Sequence, residues 1–123
     1  MAHVPPTLKK GSEGEAVKGL QNALNVRGYG SGGVDGEFGP TTEKGVKKFQ
    51  GDAGLDVDGV VGPNTWEALV VYVVQSGDTL SSIAEEVLGD ASRWPEIHEI
   101  NTDIVADPDV IRPGQVLVLP SGC

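Results

Sequence analysis

Apolar side chains along this chain keep two rhythms, and each predicts its own kind of element. Ala16, Val17, Leu20, Ala23 and Leu24 recur at helical spacing and form one stripe. Val46, Phe49 and Ala53 fall at i, i+3 and i+7, and Trp66 and Leu69 at i and i+3, which predicts two further helices. Ser12 is the expected N-cap of the first helix, with Glu15 completing a capping box, and Gly28 its expected stop. The pattern then changes. Residues 71–75 read as a strand by β-propensity. A turn at residues 76–79 leads into a stripe of Leu80, Ile83, Ala84, Val87 and Leu88, stopped by Gly89. Ser92 is the expected cap of a further helix, with Pro95 in its first turn and Trp94, Ile97 and Ile100 on one face. A polar loop over residues 101–113 precedes a second strand at 116–119, closed by Pro120. Two strands bracketing a helical hairpin pair antiparallel, with both helices on one face.

The first half also repeats itself. Val34-Asp35-Gly36-Glu37-Phe38-Gly39-Pro40-Thr41-Thr42 returns 23 residues later as Val57-Asp58-Gly59-Val60-Val61-Gly62-Pro63-Asn64-Thr65, identical at six of nine positions. Each copy combines an Asp-Gly turn with a Gly-Pro helix start, because glycine accepts positive φ and proline fits a first helical turn.

Composition divides the chain at the same place. Residues 1–70 carry 7 basic and 9 acidic side chains, residues 71–123 carry 2 and 9, and 14 of the 18 glycines lie in the first part. The net charge of −9 is therefore mostly a property of the second half. Two small abutting modules are expected, at residues 6–70 and 71–120, joined without a Pro/Ser/Gly-rich linker. The charge excludes a nucleic-acid partner and an anionic membrane surface. The apolar run at 69–74 is too short to span a bilayer.

Catalytic chemistry finds few candidates. His3 and His98 are the only histidines, without a metal-ligand spacing, and Cys123 is the final residue. Paired carboxylates across a deep cleft do not fit modules of this size. Asp103, Asp107 and Asp109 match no calcium loop and read as a solvated acidic loop. No catalysis, no metal and no cofactor are expected. Asp78 and Thr79 are good helix-capping residues, and Trp66 and Trp94, on apolar stripes, are expected in the core.

The second half resembles a lysin motif (LysM) domain. The likeness rests on Tyr72-Val73-Val74-Gln75-Ser76-Gly77-Asp78-Thr79-Leu80-Ser81-Ser82-Ile83-Ala84, Trp94-Pro95-Glu96-Ile97, Asn101, Ile111-Arg112-Pro113-Gly114-Gln115-Val116-Leu117 and Pro120. The first half is similar to the helical peptidoglycan-binding domain, through Leu20-Gln21, the doubled Asp-Gly…Gly-Pro signature, Phe49-Gln50 and Trp66. Together they imply an α+β chain: a three-helix bundle followed by a βααβ LysM domain. The LysM resemblance implies recognition of N-acetylglucosamine-containing glycan, peptidoglycan or chitin, in a shallow groove between two loops. Carried over by position, the groove residues are Gly77, Asp78, Thr79 and Leu80, with Pro108, Asp109, Val110 and Ile111 opposite. The helical domain implies a second wall contact, loosely at the repeated turns and Trp66. No secretory signal is visible in Met1-Ala2-His3-Val4-Pro5-Pro6. That favours a cytoplasmic or particle-associated protein, or a wall protein exported by another route. It also motivates an alternative role, a baseplate adaptor in a phage tail or contractile injection system, held by tail proteins.

Overall fold

Both Gly-Pro signatures begin helices, and in the same conformation. In the computed structural model, which describes residues 6–30, 33–102, 104–105, 107 and 109–120, Gly39 caps α2 (Pro40–Asp52) at φ −103°, ψ −168°. Gly62 caps α3 (Pro63–Leu69) at φ −102°, ψ −169°. Together with α1 (Glu15–Val26) they form the expected three-helix unit. Val17, Leu20, Leu24, Val46, Phe49, Trp66 and Leu69 fill its core. Ala53 is exposed, because α2 ends at Asp52 and Ala53 is its C-cap.

Ser12 does not cap α1; the helix starts at Glu15, behind Gly14. The backbone of residues 11–14 is already committed elsewhere. Gly11 N–H donates to Phe38 O, Phe38 N–H to Ser12 O and Gly14 N–H to Gly36 O. This extended segment crosses the first repeated turn, and Ser12 Oγ accepts from Lys9 N–H instead. Leu8 pairs with Val61 of the second turn in the same way, at 3.0 and 2.7 Å. Gly28, with φ 91°, follows the C-cap Arg27 as expected.

The second unit has the order β1 (Val71–Val73), α4 (Leu80–Leu88), a 3₁₀ turn (Ala91–Arg93), α5 (Trp94–Glu99) and β2 (Val116–Val118). β1 and β2 pair antiparallel in the register Val71↔Val118, Tyr72↔Leu117, Val73↔Val116. Thr79 caps α4 in a capping box with Ser82, and Gly89 ends it at φ 77°. Ser92 is not a cap. Asp90 caps the 3₁₀ turn, accepting from Ser92 N–H at 2.9 Å and Oγ–H at 2.6 Å. The turn runs directly into α5, which leaves α5 without a side-chain cap.

Directly paired residues of a two-stranded sheet share a face, and successive pairs alternate faces. Tyr72 and Leu117 therefore pack with Leu80, Ile83, Ala84 and Ile97 of α4 and α5. The opposite pairs, Val71 with Val118 and Val73 with Val116, pack into the core of the three-helix unit. The sheet is a partition with a hydrophobic core on each side.

Polar contacts lock this seam. Asn101, fully buried, donates to Ile97 O (2.7 Å) and Val118 O (2.8 Å) and accepts from Val118 N–H (2.8 Å). Its side-chain amide thus pairs with β2 as a further strand would. Asn22 of α1 donates to Asn101 Oδ1 (3.0 Å) and Ile100 O (2.9 Å). Arg27 bridges Leu69 O and Leu119 O. Among the described residues, no helix is long and apolar enough to cross a membrane.

Candidate functional site

The turn after β1 is built around Asp78. Gly77 takes φ 88°, a left-handed conformation that glycine adopts without strain. The Asp78 carboxylate accepts from Gln75 N–H and from the Tyr72 hydroxyl, each at 2.8 Å. Burial, then Asp78 and more weakly Glu86, push the Tyr72 phenol far above its usual range, so it remains a donor. Asp78 is thus an anchor for the turn, while Thr79 takes the capping role.

On the opposite side, Asp107 accepts from Asp109 N–H at 2.9 Å, and its carbonyl accepts from Val110 N–H. Gln115 accepts from Arg112 N–H at 2.8 Å and returns the chain to β2. His98 Nε2 lies 3.0 Å from Val105 O and ties this loop to α5.

Between the two segments lies a groove of about 240 Å³. Asp78, Thr79, Leu80 and Ser81 line one wall, Asp109 and Ile111 the other, and Trp94 completes it. Five of the eight anticipated residues therefore meet in one concavity. Leu80 is its buried floor, 3% exposed. Gly77 does not line the groove, and Val110 lines a different concavity. Pro108 lies outside the described residues.

Trp94 was expected in the core but is 36% exposed. It is the first residue of α5, so its ring sits at the rim rather than along the buried stripe. Its place between residues 78–81, upstream, and Asp109 and Ile111, downstream, is not a pattern that periodicity carries. Trp66 is 2% exposed as expected, and its ring N–H donates to Pro6 O at 3.0 Å. That leaves it unavailable as a surface contact.

The repeated turns of the first unit share one internal device. Gln21 Nε2 donates to Asp35 Oδ1, Glu37 O and Thr42 Oγ1, and Gln21 Oε1 accepts from Gly36 N–H. Gln50 makes the corresponding bonds to Asp58, Val60 O, Thr65 and Gly59 N–H. Backbone N–H donors, of Glu37 and Val60, and then the glutamines hold both aspartates below the usual carboxylate range. A shallow depression of about 150 Å³ sits at the second turn, over Gln50, Asp58 and Thr65. Among the described residues no group of three or more His, Cys, Asp or Glu side chains is placed to hold a metal ion.

Fold and site together define a tandem of two small domains, one all-helical with a duplicated turn and one βααβ with a surface groove. The chain belongs to two families in series: residues 13–69 to the peptidoglycan binding domain family (PG_binding_1) and residues 72–120 to the LysM domain family. It is 45% identical over 76 residues to the zinc D-Ala-D-Ala carboxypeptidase of Streptomyces albus G, covering 58% of this chain and 28% of that protein. It is 49% identical over 49 residues to the potassium binding protein Kbp of Escherichia coli, covering 40% of this chain and 33% of that one. The crystal structure of the SleB N-terminal domain matches with a TM-score of 0.52 and 38% identity, over 55% of this chain and 93% of that domain. The chain thus spans a third or less of the length of these two curated relatives.

Proposed function

We propose that these residues form a cell-wall glycan-binding unit that is itself non-catalytic, with modules at 6–70 and 71–120. The groove lined by Asp78, Thr79, Leu80, Asp109 and Ile111 takes an N-acetylglucosamine-containing strand. One observation carries this reading: two segments distant in sequence, each assigned to the glycan site by resemblance, line a single groove with Thr79, Leu80, Asp109 and Ile111. An N-acetyl group needs polar partners and an apolar wall for its methyl, and this lining offers both. A shallow site of this kind binds weakly alone, and a second module on the same polymer raises the effective concentration. Support for the non-catalytic part comes from Asp78, whose carboxylate is occupied by Tyr72 and Gln75. Asp109, across the groove, is exposed.

Cosedimentation with insoluble peptidoglycan and with chitin, at several salt concentrations, tests the reading. Binding is expected, and it should strengthen with salt against anionic wall, because screening relieves the repulsion from the acidic second half. Ile111→Asp and Trp94→Ala should each weaken binding several-fold with an unchanged circular dichroism spectrum. Leu80 is unsuitable for this test, since a charge there would disrupt the core. Absence of sedimentation at every salt concentration overturns the proposal.

A further inference from the structure

A second concavity, of about 310 Å³, lies across the seam between the two domains. Glu15 and Lys18 of α1 form one side, and Asp107, Val110, Arg112 and Gln115 of the loop before β2 form the other. That loop also walls the glycan groove. Asp109 and Ile111 face the groove, whereas Val110 and Arg112 face the seam. Alternate residues of one segment thus line two concavities, and a single backbone separates them.

The charges of the seam are distinctive. Arg93 and Arg112 are the only basic residues after position 70. Arg93 is engaged by Glu96 through two bonds of 2.8 Å. Arg112 is exposed and makes no ion pair or side-chain hydrogen bond among the described residues. Lys18 meets Glu15 at 3.6 Å in an exposed pair, which a ligand displaces at little cost. The seam therefore offers two cations and two carboxylates beside an acidic domain that otherwise repels anions.

We propose that this seam takes the charged peptide branch of a glycan whose sugar chain lies in the groove. The preferred ligand is then peptide-bearing peptidoglycan rather than chitin. Arg112 and Lys18 meet the carboxylates of the branch, and Glu15 and Asp107 meet its amine. The reach is sufficient, since four extended residues span up to about 14 Å and the wall between the concavities is one backbone thick. The proposal rests on the groove reading above.

The test is titration of the full chain with three soluble probes: a stem-bearing peptidoglycan oligomer, the same glycan stripped of its peptides, and chitotetraose. The stem-bearing probe should bind roughly three- to tenfold tighter than the stripped one at low salt, the gain expected of a few exposed charge contacts. Arg112→Glu and Lys18→Glu should abolish that preference and leave the other two probes unchanged. Arg112→Gln serves if the charge reversal perturbs the fold. Equal affinity for stem-bearing and stripped glycan overturns the seam proposal alone, as does a preference that survives both cation variants. Failure of all three probes to bind removes the groove reading and the seam proposal with it.

Discussion

Gln21 and Gln50 do the same work at two places, each clasping an Asp-Gly turn from a neighbouring helix. Both are about 1% exposed, and each amide is matched by carbonyl, carboxylate, hydroxyl and backbone N–H partners. A buried carboxamide is favourable only when so satisfied. The aspartates of the two clasps carry a pH consequence. Their folded-state values lie below the unfolded carboxylate value of about 3.9, so the contribution is fully present above about pH 5. It disappears as pH falls through the depressed folded values. Asp35→Asn combined with Asp58→Asn should flatten the acid limb of a plot of melting temperature against pH; an unchanged limb would count against the clasp. The turns themselves were legible from Asp-Gly and Gly-Pro. Their partners were not, because Gln21 and Asp35 are joined by the fold rather than by any local spacing.

At the scale of elements, Gly19 decides how closely α1 approaches β2. A Cβ at this position would overlap Val116 Cβ and come 2.8 Å from Val116 O. Gly19→Ala is expected to destabilise by about 1–3 kcal/mol through overpacking, although alanine is the better helix former by about 1 kcal/mol. Gly51 provides the control. It is exposed near the end of α2, and a Cβ there meets only Val57 Cγ2 at 3.8 Å. Gly51→Ala should therefore be neutral or stabilising by up to about 1 kcal/mol. Urea unfolding of both variants checks the contrast, and equal shifts would remove the close-approach argument. Among the described residues, hydrophobic periodicity revealed the five α-helices, while the first strand was read from β-propensity, since both strands are covered on two faces and show no alternating stripe. It misplaced the caps at Ser12 and Ser92. In both cases a prior commitment, to cross-turn backbone pairing or to a 3₁₀ turn, moved the helix start. Of the groove, both walls were legible through Thr79, Leu80 and Ile111, whereas Trp94 was hidden by its position on an apolar stripe.

At the scale of the molecule, the sheet partition joins two families into one cooperative body. Val116 and Val118 belong to the helical core by packing and to the βααβ unit by sequence. Asn22 and Arg27 extend the joint with polar bonds. Unfolding should thus be a single transition. Trp66 reports the first unit and Trp94 the second. Fluorescence midpoints from Trp94→Phe and Trp66→Phe proteins, each compared with its own circular dichroism midpoint, should coincide; a lag between the probes in either protein would show that the units melt separately. The same partition also imposes an order on synthesis. The face of α1 that meets β2 emerges early, and Arg27 waits for a carbonyl 92 residues later in the chain. At typical translation rates that wait is roughly 5–20 seconds. Throughout it, the surface destined for Val116 is open to chaperones and proteases. A chain truncated before that strand would carry this opening permanently, along the face of α1 that β2 covers in the finished fold.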